Sequence, residues 1–249
     1  MPATTGEDGR PDDPAAGCSP SECARRLLET LRADDDSAPY RRRLATFDDA
    51  ELERVRDDRE VALAVWTNLY NAGTQLLLEE RPDLYDARLR FLRFFRADCL
   101  TVAGTPLSLN EIEHGILRGR SAVGLGYLPR LLSGEFERRH RLEELDPRVH
   151  FALNCGAGSC PAIRSYQVDR IDDQLELATR TYLSNTVTYD AETAVARVPR
   201  LFLWYRGDFG GGEGIRDLLR QYDAVPDGAV SRLKHRSWDW RRQAAKFAD

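Results

Sequence analysis

The stretch REVALAVWTNLYNAGTQLLLEERP, residues 59–82, decides the fold because it predicts one long helix that is apolar on most of its sides. Its length and the proline at its end predict about five turns, ending at Pro82. Large apolar residues such as Val65, Trp66 and Leu76 cover most of its surface. We expect such a helix to lie inside the protein, with other elements packed around it.

A narrow polar stripe runs along this helix. At about 100° per residue, one face collects Thr67, Asn68, Asn71, Thr74 and Gln75. Buried amides need hydrogen-bond partners, so the stripe should face a polar loop or a functional site rather than water. Two interpretations stay open: Asn68 and Asn71 serve a site, or they only cap the backbone of a neighbouring loop.

The expected neighbour of the stripe is HFALNCGAGSCP, residues 150–161. Its first half predicts a short buried strand, in which His150 and Asn154 share a face that Cys155 does not. Proline favours the first position of a helix, so Pro161 predicts that Cys160 is a helix N-cap. There the helix dipole and free N–H groups would lower the pKa of Cys160, which makes it the more reactive of the two thiols.

The segment DCLTVAGTPLSLNEIEHGILRG, residues 98–119, predicts two short strands around a turn, followed by a helix. Ser108 and Glu111 form the spacing of a capping box, which places the start of that helix. Glu113 and His114 lie next to each other in it, about 100° apart around the axis. Further along, residues 168–185 predict a helix and 186–199 a hairpin.

Composition and charge restrict the function classes. The formal net charge of -5 argues against a general nucleic-acid binder, and no apolar run approaches the roughly 18 residues of a membrane span. The first residues, MPATTGEDGRPDDPAAG, lack the regions of a signal peptide, so we expect a cytoplasmic protein. The odd number of cysteines in a chain expected to be cytoplasmic argues against a disulfide framework: Cys18, Cys23, Cys99, Cys155 and Cys160.

Four segments, in this order, resemble the DUF547 family, a widespread domain of unknown function: AVWTNLYNAG (64–73), SLNEIEHGILRG (108–119), DPRVHFALNCGAGSCPAIRSY (146–166) and LFLWYRGDF (201–209). The resemblance supplies no established reaction. It implies that the residues within these motifs belong together, namely Asn68, Tyr70, Asn71, Glu113, His114, His150, Asn154, Cys155, Ser159 and Cys160.

The predicted organisation is a single α+β domain, mostly helical, with a small antiparallel sheet and a distant likeness to papain and transglutaminase folds. We expect a disordered tail over 1–19, peripheral helices over 20–57, the DUF547-like core over 58–210 and a helical extension over 211–249. The site should form where 64–75, 111–118 and 150–161 converge.

Three functional hypotheses follow. In the first, Cys160 attacks a carbonyl carbon, His150 or His114 acts as base with Glu113 nearby, and the amides of Asn68, Asn71 or Asn154 orient the base or stabilise an oxyanion. In the second, the same polar groups form a structural network in a non-catalytic binding or scaffold module. The third is zinc or redox chemistry, although four residues between the cysteines are unusual for a zinc site.

A pocket that reaches Cys160 would favour the enzyme, and a closed network would favour the module. We expect no cofactor and no metal. The expected partner is an unidentified small molecule or peptide rather than nucleic acid or a membrane, and the sequence leaves the oligomeric state open.

Overall fold

The structure is a computed structural model that describes residues 13–86, 93–227 and 232–248. Within these ranges the α-helices are α1 (Pro20–Ala33), α2 (Ala38–Ala45), α3 (Glu53–Asp57), α4 (Arg59–Glu80), α5 (Pro82–Asp86), α6 (Glu135–His140), α7 (Ile171–Thr186), α8 (Leu201–Trp204) and α9 (Gly211–Gln221). A π-helix spans Glu111–Leu117, and 3₁₀ helices span Pro147–Phe151 and Val168–Arg170.

The strands are β1 (Asp98–Val102), β2 (Thr105–Ser108), β3 (Thr188–Asp190), β4 (Val195–Val198) and β5 (Arg232–His235). β1 and β2 form an antiparallel pair, and the second sheet has the order β3-β4-β5. β3 pairs antiparallel with β4, whereas β5 adds to β4 in parallel. The predicted α+β class, mostly helical with a small antiparallel sheet in one domain, is confirmed.

Helix α4 is the centre of the fold, as the sequence predicts. The Asp58 side chain caps its start by accepting hydrogen bonds from the N–H groups of Glu60 and Val61, at 3.1 Å each. Every residue from Val61 to Leu78 is buried. Its apolar side chains therefore form the main core, while its polar stripe needs partners inside the protein.

The 3₁₀ helix Pro147–Phe151 joins the two parts of the core. Val149 belongs to the main core, and Phe151 to a second cluster built from α7, α8, α9 and β4. The predicted strand over this segment is wrong. Asp146 caps the 3₁₀ helix through a 3.0 Å bond from the N–H of Arg148, and Pro147 has no N–H to give to a sheet. A short apolar run carries too few residues to separate strand from helix by periodicity.

The predicted helix after Cys160 is also wrong, because residues 161–167 form no helix. The carbonyl of Pro161 accepts a 2.6 Å bond from Asn154 Nδ2, and the N–H of Ile163 donates to the carbonyl of Lys246 at 2.7 Å. The backbone groups that would close a first helical turn are thus bonded to distant residues. Cys160 lies in a turn instead, closed by a 3.0 Å bond from its own N–H to the carbonyl of Ala157.

The C-terminal segment, residues 236–248, crosses back over the core after β5. It forms isolated bridges from Arg242 to Ala157 and from Phe247 to Ile163. The predicted extension 211–249 therefore holds one helix, one strand and this segment within the described residues, and its boundaries stay predictions. Of the predicted disordered tail, residues 1–12 lie outside the described residues, and a turn after them buries Ala15 and Cys18. No helix in the described ranges is long and apolar enough to cross a lipid bilayer.

Candidate functional site

Two cysteines meet in the loop after the 3₁₀ helix Pro147–Phe151. The Sγ atoms of Cys155 and Cys160 lie 3.0 Å apart, and the N–H of Cys155 donates to Cys160 Sγ at 3.3 Å. Gly156 turns the loop with φ +84°, and a Cβ added there would lie 2.7 Å from Leu78 Cδ1. Glycine is thus required both by its backbone conformation and by the close approach of α4.

The two thiols form a hydrogen bond with each other, and their pKa values shift in opposite directions. Burial raises the pKa of Cys160, but the thiol of Cys155, the N–H groups of Cys155 and Ala157, and the charge of Lys246 together bring that pKa below its ordinary value. The hydrogen bond to Cys160 and burial raise the pKa of Cys155 well above its ordinary value. Cys160 is therefore the more acidic thiol of the pair. Loop N–H groups and a neighbouring thiol supply the effect that the sequence assigned to a helix dipole.

The asparagines of the predicted site bond to backbone. Asn71 donates to the carbonyl of Ala152 at 3.1 Å and accepts from the N–H of Asn154 at 2.9 Å. Asn68 makes the same two-point bridge to Tyr166, at 2.8 and 2.9 Å. Asn71 thus reaches the segment 150–160, as expected, whereas Asn68 bonds just beyond it. Both amides thus hydrogen-bond to backbone groups of the segments that they face.

Asn154 also acts on backbone. Its Nδ2 donates to the carbonyl of Pro161 at 2.6 Å, and its Oδ1 accepts from the N–H of Gly156 at 2.8 Å. These two bonds close the loop at both ends around the cysteines. Asn154 therefore positions the two sulfurs rather than facing the adjacent cleft.

The π-helix Glu111–Leu117 brings a carboxylate and an imidazole to the site. Glu111 Oε2 accepts from Ser108 Oγ at 2.6 Å and from the N–H of Ser108 at 2.8 Å, so the predicted capping box is present. The helix is wider than an α-helix, and π-helical turns occur often at functional sites. It buries Glu113 and His114 on the inner side of the molecule.

Glu113 is a buried carboxylate held by two phenols. Tyr70 donates to its Oε2 at 3.0 Å, and Tyr205 to its Oε1 at 2.7 Å. Burial raises the pKa of Glu113, but His114, Arg118 and the bond from Tyr205 outweigh it and keep the pKa below its ordinary value. Glu113 is therefore ionised at neutral pH and anchors this side of the site.

His150 belongs to an ionic cluster. Its Nε2 lies 2.8 Å from Asp208 Oδ2, which also accepts from Arg118 Nε at 2.7 Å. The ring of Tyr205 stacks on His150 with centroids 4.0 Å apart, and Arg118 contacts His114 Nδ1. Burial lowers the pKa of both histidines, that of His114 to about 4. Both imidazoles are thus neutral near pH 7.

A cleft of about 840 Å³ opens onto these groups. Glu113, His114, His150, Cys155 and Cys160 all line it, together with Tyr70 and Tyr205. Three indoles complete the lining: Trp204, Trp238 and Trp240, with ring centroids 5.1 to 6.0 Å apart. A second cavity, of about 390 Å³, also reaches Cys160. The cleft brings together the predicted Cys160, His150, His114 and Glu113, but not Asn68, Asn71 or Asn154.

Several residues of the site were not singled out from the sequence. Tyr205 and Asp208 come from LFLWYRGDF, a segment used for the family resemblance only, and Trp238 and Trp240 come from SWDWRR. The sequence signal that could have indicated them is the clustering of aromatic and charged residues in each of these two short segments. Nothing local showed that both segments return to the same cleft.

The geometry limits the chemistry. Among the hydrogen bonds of residues 13–86, 93–227 and 232–248, none joins a histidine to Cys160, whose sulfur instead contacts the thiol and the N–H of Cys155. Over the same ranges, no group of three or more His, Cys, Asp or Glu side chains is arranged to hold a metal ion. One cleft thus brings together two hydrogen-bonded thiols and two imidazoles whose pKa values are lowered.

Comparison with known proteins places the chain in a family. No curated protein and no solved structure matched it, so the predicted distant likeness to papain and transglutaminase folds stays a prediction. One family model matched, described as "Protein of unknown function, DUF547", over residues 56–183, just over half of the chain. Those residues contain α4, the π-helix and the cysteine loop. The chain therefore belongs to the DUF547 family.

Proposed function

We propose that the protein is a cysteine-dependent hydrolase or acyl transferase in which Cys160 is the nucleophile. The observation that carries the proposal is an open cleft that reaches a cysteine whose surroundings favour the thiolate. A thiolate is the reactive form of cysteine, and it attacks carbonyl carbons. Neutral imidazoles in the same cleft are in the right form to accept a proton.

The reaction would proceed in two steps. Cys160 Sγ bonds to the acyl carbon, and the leaving group departs with the proton that Cys155 holds 3.0 Å away. A water or another acceptor then attacks the thioester while His150 takes its proton. Asp208 orients His150 and stabilises the imidazolium, which returns the proton to Cys155. Cys160 leaves as the thiolate, so each group regains its starting state.

The cleft favours an acyl compound with an apolar or aromatic part. Its lining combines three indoles with Leu153 and Leu201, which suit apolar groups. Arg96 and Arg200 line it as well and suit a carboxylate. The proposed substrate is thus a small acylated molecule or a peptide, and the proposal includes the cytoplasmic location that the sequence favours.

One observation favours a non-catalytic binding module instead. All three asparagines bond to backbone, as residues of a fold-stabilising network do. In that case the cleft would bind its ligand and leave it unchanged. The two functions differ in whether Cys160 becomes acylated.

Acylation of Cys160 by an activated ester tests the proposal. Reduced protein would be mixed with 4-nitrophenyl acetate, nitrophenol release would be followed, and the acylated peptide would be identified by mass spectrometry. We expect acetyl-Cys160 in the wild type and a loss of about 100-fold in release rate for Cys160→Ala. Cys99→Ala is the matched control, because Cys99 is buried outside the cleft, and its rate should equal that of the wild type. Equal rates in all three proteins would refute the enzyme and favour the binding module.

A further inference from the structure

The spacing of the two sulfurs allows chemistry that acyl transfer does not need. A disulfide bond is about 2.05 Å long, so the 3.0 Å between Cys155 Sγ and Cys160 Sγ leaves a movement of about 1 Å to close it. The loop between them contains Gly156 and Gly158, whose backbones adapt to small shifts at low cost. We propose that Cys155 and Cys160 form a redox-active dithiol that exchanges with small disulfides carrying carboxylates.

Thiol–disulfide exchange assigns a different role to each cysteine. The attacking group must be a thiolate, and Cys160 receives the N–H of Cys155 at 3.3 Å and its thiol at 3.0 Å. The resolving group needs only to be close, and Cys155 is the thiol in contact with Cys160. Both cysteines line the large cleft, so a disulfide that enters it has access to either sulfur.

The exchange takes place in two steps. Cys160 Sγ⁻ attacks one sulfur of a disulfide RSSR, forms a mixed disulfide and releases RS⁻, which takes the proton of Cys155. The resulting Cys155 thiolate attacks Cys160 Sγ and expels the second RS⁻. The protein loses two electrons and forms one disulfide, while RSSR gains two electrons and leaves as one thiol and one thiolate, which takes its proton from water. Exchange in the reverse direction restores the dithiol.

The charge around Cys160 points to the class of disulfide. The smaller cavity that reaches Cys160 has four basic side chains in its lining, Arg164, Arg200, Arg236 and Lys246, and none of the described residues that line it is acidic. Two of these cations have carbonyl partners: Lys246 Nζ donates to Gly158 and Cys160, and Arg236 Nη1 donates to Thr186 at 2.8 Å. Their positive charge still attracts anions.

A second observation supports an anionic ligand. Trp238 lies in the lining of both cavities, and its Nε1 is buried with no hydrogen-bond partner in the described residues. An indole N–H only donates, so an acceptor such as a carboxylate would satisfy it. Arg200 also lines both cavities and provides a charged partner. A ligand that carries carboxylates next to its disulfide would meet these groups with its sulfurs beside Cys160.

Oxidised glutathione is the probe for the dithiol, and single cysteine variants separate the two roles. We expect the wild type to lose both thiols and form the Cys155–Cys160 disulfide, seen as a linked peptide by mass spectrometry. Cys155→Ser should stop at a stable mixed disulfide on Cys160. Cys160→Ser should react with oxidised glutathione at least about tenfold more slowly than the wild type, because its remaining thiol, Cys155, is protonated. Circular dichroism would establish that both variants fold. The proposal would be overturned if Cys155 and Cys160 of the wild type both stay free thiols after treatment with oxidised glutathione. A mixed disulfide on Cys160 that Cys155 never resolves would overturn it as well.

Cystamine, a cationic disulfide, is the matched probe for charge. The basic cavity should make oxidised glutathione react several-fold faster than cystamine, with the difference shrinking at high salt. Arg164→Glu should reduce the preference, while Arg54→Glu, which lies in neither cavity, should preserve it. Equal rates for both disulfides would refute the charge selection. This readout uses no acyl substrate, so disulfide formation in a protein that never becomes acylated refutes the proposed function alone.

Discussion

At the scale of single residues, the acidity of Cys160 has a local cause that a pH profile can test. Its sulfur accepts from the N–H and the thiol of Cys155, and the same bond raises the pKa of Cys155. Burial raises the pKa of Cys99 to about 12 and also raises that of Cys18 and Cys23. Cys160 is therefore expected to be the most acidic of the five cysteines.

We expect iodoacetamide to alkylate Cys160 fastest in the folded protein, with a rate that levels off below the pH at which a free thiol titrates. Rates at each cysteine would be measured from about pH 5 to about pH 9 by mass spectrometry, in native and denatured protein. Cys155→Ala removes the donated S–H and should shift the Cys160 profile upward in pH. A profile that already follows a free thiol in the wild type would contradict the assignment.

Asn71 provides a second residue-scale prediction. Asn71→Leu would leave the carbonyl of Ala152 and the N–H of Asn154 buried without partners. We expect a loss of about 2–4 kcal/mol in the free energy of unfolding, since each unsatisfied group costs about 1–3 kcal/mol. Urea denaturation measures it. Asn185→Ala, at an exposed position, is the control and should stay within about 0.5 kcal/mol of the wild type.

At the scale of elements, α4 packs closely against β1 at Gly73. A Cβ at this position would lie 2.6 Å from Cys99 Sγ. Gly73→Ala should therefore destabilise the protein by about 1–3 kcal/mol through overpacking, even though alanine favours helices by about 1 kcal/mol. Cys99→Ala removes the sulfur, so the double variant should be more stable than the sum of the single changes predicts. A thermodynamic cycle from urea denaturation measures this coupling, and additive effects would contradict the contact.

The sequence predicted the elements whose signals are local. The apolar surface of α4, the β1–β2 turn and the Ser108–Glu111 capping box are all visible in contiguous residues. The strand predicted after Asp146 was wrong, because a short apolar run does not distinguish a strand from a 3₁₀ helix. The helix predicted after Pro161 was wrong, because Asn154 and Lys246 hydrogen-bond to the backbone groups that would close its first turn. Lys246 lies far along the chain, so no local pattern reveals its contact.

The candidate site divides in the same way. Residue type and position within the motifs were enough to predict His150, Glu113 and Cys160 as candidate site residues. The partners of these groups, such as Tyr205 and Asp208, depend on long-range packing. No periodicity encodes a contact between segments separated by tens of residues. The candidate groups could therefore be identified from the sequence, whereas the partners that shift their pKa values are visible only in the structure.

At the scale of the whole molecule, the histidines predict how stability depends on pH. All four have a lowered pKa, with burial as the largest cause: His114, His140, His150 and His235. The unfolded chain, with histidine pKa values near about 6.5, then binds more protons than the folded protein in this range. Stability is therefore greatest above about pH 6.5 and falls as the pH decreases toward the folded values.

Because the pKa of His114 is about 4, this residue alone should lower the free energy of unfolding by on the order of 2 kcal/mol between about pH 7.5 and about pH 5. The carboxylates Glu113 and Asp208, whose folded pKa values are lowered, lose their stabilising contribution at still lower pH, so they too make the protein less stable in acid. Urea denaturation across the pH series measures the trend. His114→Asn should flatten the slope, and a wild-type stability that stays constant or rises on acidification would contradict the prediction.

The way the C-terminal segment holds the cysteine loop has a consequence for biosynthesis. The N–H of Asp239 donates to Ser159 Oγ across 80 residues of chain, and Gln243 and Lys246 bond to the same loop. A ribosome that adds about 5–20 residues per second makes this segment roughly 4–16 s after the loop. During that interval the nascent chain carries Cys155 and Cys160 without these contacts, so the cysteine loop reaches its final surroundings only once translation has passed Lys246.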